Sequence, residues 1–136
     1  MADLTQTPAN VETASGAAIS TVQAGEAFDA GTPVYQLASD GKYYKADAND
    51  ALKYVAVGIA ISGASSDGYF VLQRGGDINI GATTVKGEIY ILSNTAGAIA
   101  PHGDLATGWY PVILCIATDT AGNCIMGISV GTATRS

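Results

Sequence analysis

Every apolar run in this chain is strand-length and stops at a turn residue. Tyr54–Ile61 ends at Ser62-Gly63, Glu88–Leu92 at Ser93-Asn94, and Val112–Ala117 at Thr118-Asp119. A helix of ordinary length needs about 10–12 residues of 3.6-period pattern, and no such stretch exists between these breaks. The residue supply agrees: 17 Gly with abundant Ala, Thr, Ile and Val favours short strands and tight turns over helices. The sequence therefore predicts an all-β fold, a small antiparallel β-sandwich or barrel of short hairpins with an extended N-terminal arm. With 48% hydrophobic residues against 13% charged, the 136-residue chain has material for one real core without metals or disulfides.

Two regions differ in composition. Residues 1–24 are small and polar, with Leu4, Val11, Ile19 and Val22 as isolated apolar positions, and read as an extended, flexible arm that orders on a partner. Residues 25–136 read as the β domain. There Pro33–Leu37 and Tyr43–Lys45 form a hairpin about Ser39-Asp40-Gly41-Lys42. Asp47–Leu52 suits one helical turn, capped by Asp47 or Asn49. Tyr54–Ile61 reads as a central strand with Val55, Val57, Ile59 and Ile61 on one face. Gly75-Gly76 bends the ribbon between Tyr69–Arg74 and Asp77–Ile80. A last hairpin joins Trp109–Ala117 to Cys124–Val130. Two stretches, 31–60 and 87–117, are weakly similar halves: each runs Gly, strand, Gly turn, short return, loop and a closing apolar strand that ends in Ile-Ala.

Six Lys plus Arg against twelve Asp plus Glu leave a net charge of −6 and a pI near 4.3. That sign opposes phosphate neutralisation, so neither nucleic acid nor an anionic membrane is an expected partner. The opening residues lack the basic and apolar blocks of a signal peptide, and no run approaches the ~20 apolar residues of a spanning helix. The expectation is a soluble, unexported protein.

Candidate chemistry is sparse. The one His, His102, lies in Pro101-His102-Gly103-Asp104 with no second ligand or nucleophile at useful spacing, so it reads as an exposed loop residue. Cys115 and Cys124 sit on the two arms of the last hairpin. A turn centred on Thr120 and Ala121 puts Cys115 nearest Met126 and Cys124 nearest Ala117, out of register for a bridge, and predicts two buried free thiols. The Asp residues fall mostly in turns, where their carboxylates bond local backbone. No Gly-Lys-Ser/Thr follows the Gly-rich loops, so no phosphate cradle is predicted. No catalytic residue, metal site or cofactor emerges, and the chain reads as a non-enzyme.

Three segments carry a resemblance: Ala24-Gly25-Glu26-Ala27-Phe28-Asp29-Ala30-Gly31-Thr32-Pro33-Val34-Tyr35, then Asp40-Gly41-Lys42-Tyr43-Tyr44-Lys45-Ala46-Asp47, then Val57-Gly58-Ile59-Ala60. Here the chain resembles the capsid decoration, or cement, proteins of tailed bacteriophages. The resemblance implies a β-rich homotrimer on the outer surface of the virion head, bound to the major capsid protein and tying neighbouring capsomers together. Leu4, Val11 and Ile19 of the arm, with Tyr43, Tyr44, Trp109 and Tyr110, are the candidate capsid or subunit contacts, since Tyr and Trp join large buried area to a polar tip. The alternative is a phage fibre or receptor-contact module that binds carbohydrate through the Tyr/Trp surface.

Overall fold

The computed structural model describes residues 3–135, so the ends of both sequence regions, Met1, Ala2 and Ser136, lie outside the described residues. Ten strands carry the fold: β1 (Val11–Thr13), β2 (Ala18–Gln23), β3 (Pro33–Gln36), β4 (Tyr43–Lys45), β5 (Gly58–Ala60), β6 (Tyr69–Ile80), β7 (Ile89–Leu92), β8 (Ile99–Pro101), β9 (Val112–Ala117) and β10 (Asn123–Val130). Strand accounts for 41% of residues and helix for 5%, the latter only as 3-10 turns at Pro8–Asn10 and His102–Asp104. The protein is all-β, an antiparallel sheet curled into a half-barrel. Among the described residues no helix is long and apolar enough to cross a membrane.

The strands pair in the order β4-β3-β5-β6-β10-β9-β7-β8, with β1 and β2 also laid on β6. The long strand β6 is the spine. Its first half pairs with β2 and β5, and its second half with β1 and β10. The change of partners falls at Gly75-Gly76, the bend expected from the sequence. Gly76 has φ +86°, and a Cβ there would overlap the carbonyl of Gly16, so the chain crosses itself at a point only Gly fits.

Each half of the spine faces a core. Phe70 and Leu72 join Phe28, Val34, Tyr43 and Ala60 in a smaller cluster, with Phe28 and Phe70 edge to face at 4.9 Å. Ile78 and Ile80 join Ile59, Leu92, Ile99, Val112 and Leu114 in a larger one. The alternation of side chains along β5 sends Ile59 to one cluster and Ala60 to the other.

The stretches 31–60 and 87–117 occupy equivalent places in this order. In each, the first strand pairs with its short return on one side and with the closing strand on the other. The closures also correspond. Gly31 N–H donates to Ala60 C=O (2.7 Å) and Gly87 N–H to Ala117 C=O (2.8 Å); Ala60 N–H donates to Thr32 C=O (2.9 Å) and Ala117 N–H to Glu88 C=O (3.0 Å).

Three expectations need correction. The segment read as a flexible arm apart from the β domain is part of the sheet: Val11, Glu12 and Thr13 pair with Ile80, Asn79 and Ile78, and Ile19 to Gln23 pair with Gln73 to Tyr69. Backbone pairing needs no apolar side chain, so a polar stretch can be structural wherever β6 offers an edge. Gln6 adds to this, its amide donating to the carbonyls of Gly31 (3.0 Å) and Ile80 (2.9 Å). Second, the strand read over Tyr54–Ile61 is confined to Gly58–Ala60. Ala56 N–H donates to Tyr54 C=O (2.8 Å), a γ-turn that breaks the alternation, so Ala56 is buried and Val55 exposed. Third, Asp47–Leu52 forms no helical turn, because Asp47 and Asp50 each accept a backbone N–H two residues on, from Asn49 (2.9 Å) and Leu52 (2.8 Å), making successive Asx-turns.

Candidate functional site

The residues singled out as contacts scatter into core and surface. Val11 is 7% exposed and belongs to the core, while Leu4 packs against the larger cluster with its N–H donating to Ile99 C=O (2.8 Å). Ile19 alone of the three arm residues faces solvent, at 56% exposure. Tyr43 is 4% exposed, lies in the smaller cluster, and accepts a hydrogen bond on its hydroxyl from Arg74 (2.7 Å). Trp109 is 9% exposed in the larger cluster. Tyr110 is half-buried, with one face stacked on Tyr54 at 3.8 Å between centroids. Burial of an aromatic ring is worth more in a core than on a surface, and sequence spacing does not show which ring goes inside.

The residues that carry the resemblance come together as one unit. After β2, Ala24 bridges Tyr43 in parallel, Gly25 N–H donates to Tyr43 C=O (2.8 Å), and the Glu26 carboxylate accepts from Lys45 N–H (3.0 Å). The hydroxyl end of the Tyr44 ring lies against Gly25, where a Cβ would overlap it. Its hydroxyl donates to Asp40 Oδ2 (2.6 Å), and this bond pushes the Tyr44 pKa up to about 12 while holding the Asp40 carboxyl below its usual range. Lys42 ties this turn to the loop before β6 through an ion pair with Asp67 (2.8 Å). No homology supplements this geometry. Comparison with family models, with curated proteins and with solved structures returns no match.

Few groups are arranged for chemistry. His102 Nδ1 lies 2.9 Å from Glu88 Oε1 at a largely exposed position. Among the described residues no group of three His, Cys, Asp or Glu side chains could hold a metal ion. Cys115 and Cys124 are free and buried, in the register the turn predicted: Cys115 opposite Met126 and Cys124 opposite Ala117. A hydrogen bond with Cys124 and burial hold the Cys115 thiol well above the ordinary range, so it remains protonated and unreactive. The acids at Asp40, Asp47, Asp50 and Asp119 bond local backbone N–H groups, as turn residues do.

What the surface does offer is apolar and polar contact area. An open cavity of about 470 Å³ is lined chiefly by Thr5, Thr7, Asn10, Glu12, Asn79 and Thr83, all hydrogen-bonding side chains. On the outer face of the sheet where β10, β9 and β7 run side by side, Ile116 lies directly opposite both Ile125 and Ile89. Ile116 and Ile125 are exposed, and the sequence reading passed over them. Strand parity was the available signal: with Cys115 and Met126 turned inward, their neighbours Ile116 and Ile125 must turn outward.

Proposed function

We propose that this chain is a structural virion protein that binds the outer face of a tailed-phage head and ties neighbouring capsomers together. Its partners on this reading are the major capsid protein and further copies of itself in a homotrimer. The observation that carries the reading is the packing of Gly25, Glu26, Tyr43, Tyr44 and Lys45 into one hydrogen-bonded unit, because these residues carry the resemblance and their contacts explain why they occur together. The role is mechanical. A multivalent unit that engages several capsid subunits makes each later contact intramolecular, so weak contacts sum to strong retention under outward pressure from packaged DNA.

The test is addition of the purified chain to phage heads that lack their decoration, followed by sedimentation of the heads. Saturable co-sedimentation, together with increased resistance of the heads to heat, is expected. Retention on immobilised glycans without binding to heads would replace this reading with the receptor-contact one.

A further inference from the structure

Three sulfur atoms belong to the inner face of the last hairpin. In the β9–β10 ladder Cys115 stands directly opposite Met126, and Cys124 precedes Met126 by two residues on β10. All three are buried in the larger core, Cys115 and Cys124 at 1% exposure and Met126 at 6%. Side chains two apart on a strand share a face, and directly opposed ones have Cβ atoms about 4.5–5.5 Å apart, so the three start from the corners of one triangle. Its diagonal is already closed, because the Cys115 and Cys124 thiols share a hydrogen bond.

Such donors select the metal. Two thiols and a thioether are soft ligands, which suit Cu(I). A trigonal ion with metal–sulfur bonds of about 2.3 Å holds its ligands about 4 Å apart, and sulfur atoms in hydrogen-bond contact are near that spacing. Met126 is unbranched and flexible, so its sulfur can reach the third corner without a backbone shift. Other sulfur-seeking metals fit less well. Structural zinc takes four ligands, and among the described residues no third His, Cys, Asp or Glu joins the two Cys. Iron–sulfur clusters take four Cys, and the chain has two.

The triangle also has a thin wall. On its other side Met126 pairs with Gly76 of β6, which has no side chain to cover it, and the ladder to β9 is interrupted just beyond, between Met126 and Ser129.

We infer that Cys115, Cys124 and Met126 bind one Cu(I) ion in a buried three-sulfur site. The ion enters beside Met126 and displaces both thiol protons to solvent, with no transfer of electrons. Cys115, protonated in the metal-free protein, loses its proton to the ion, as a coordinating thiol does. The site lies inside the core and is separate from any surface that meets a capsid.

The probe is Cu(I) itself, titrated without oxygen into the full chain against a chromophoric Cu(I) chelator. One equivalent should bind, and the melting temperature should rise, because an ion held by the folded arrangement of three sulfurs favours it over the unfolded chain. Met126→Leu conserves volume and apolar character, so the metal-free melting temperature should stay within about 5 °C of the parent while Cu(I) affinity falls roughly tenfold or more. Cys124→Ser should no longer compete with the chelator, and Zn(II) should leave the melting temperature of the parent unchanged. Equal Cu(I) affinity in Met126→Leu and the parent, a melting temperature that Cu(I) lowers or leaves unchanged, or equal stabilisation by Zn(II) would overturn the inference. Should Cys124→Ser fail to fold, the Met126→Leu comparison decides by itself.

Discussion

Adjacent glycines at the bend of β6 carry different constraints. Gly76 needs positive φ and has the Gly16 carbonyl where a Cβ would sit, whereas at Gly75 nothing lies within 4 Å of that position. Gly76→Ala should therefore destabilise by roughly 3 kcal/mol, from backbone strain and overlap together, while Gly75→Ala should stay within about 0.5 kcal/mol of the parent. Urea unfolding of the two variants measures the difference. The Tyr44–Asp40 hydrogen bond is the other residue-scale feature with a direct readout. Asp40 is depressed from 3.8, so its contribution is present above that pH and lost as the carboxylate protonates below it; Tyr44 is raised from 10.0 to about 12, so its contribution is present below pH 10 and lost as pH rises through the folded value. Alkaline titration of tyrosinate absorbance should contain a component near 12 that is absent in Tyr44→Phe and moves toward 10.0 in Asp40→Asn. The Gly76 effect depends on Gly16, brought up by the chain crossing, whereas Tyr44 and Asp40 meet within a single hairpin.

Strand pairing assigns the N-terminal segment its place among the elements. Deleting residues 2–20 removes β1, the first half of β2, the buried Val11 and the Gln6 bridge between Gly31 and Ile80. Losing one buried Val and several backbone hydrogen bonds should cost more than about 3 kcal/mol. The melting temperature of the truncated chain should fall well below that of the full one, whereas an appended tail would leave it unchanged. The final hairpin is the opposite case. Its register, with Cys115 opposite Met126, was readable from the turn residues alone, since a short turn fixes which positions can face each other.

At the scale of the whole molecule, β6 couples the two cores. Phe70 and Leu72 belong to one cluster and Ile78 and Ile80 to the other, on a single continuous strand. Neither cluster can open without withdrawing β6 from the other, so unfolding should be one cooperative transition. Trp109 fluorescence, which reports the larger core, and far-UV ellipticity should give the same midpoint in urea. A resolved early phase in either signal would show that the halves unfold separately.

The sequence by itself determined the β class, most strand positions, the bend at Gly75-Gly76, the similar course of 31–60 and 87–117, and the free thiols. Each of these rests on interactions within a few residues: turn carboxylates, Gly at a tight bend, side-chain alternation. Only the tertiary structure decided that residues 11–23 complete the sheet and that Tyr43 and Trp109 are core. The physical reason is common to these cases. A strand's backbone pairs with any free edge regardless of its side chains, and a ring is inside or outside according to what a distant strand places over it.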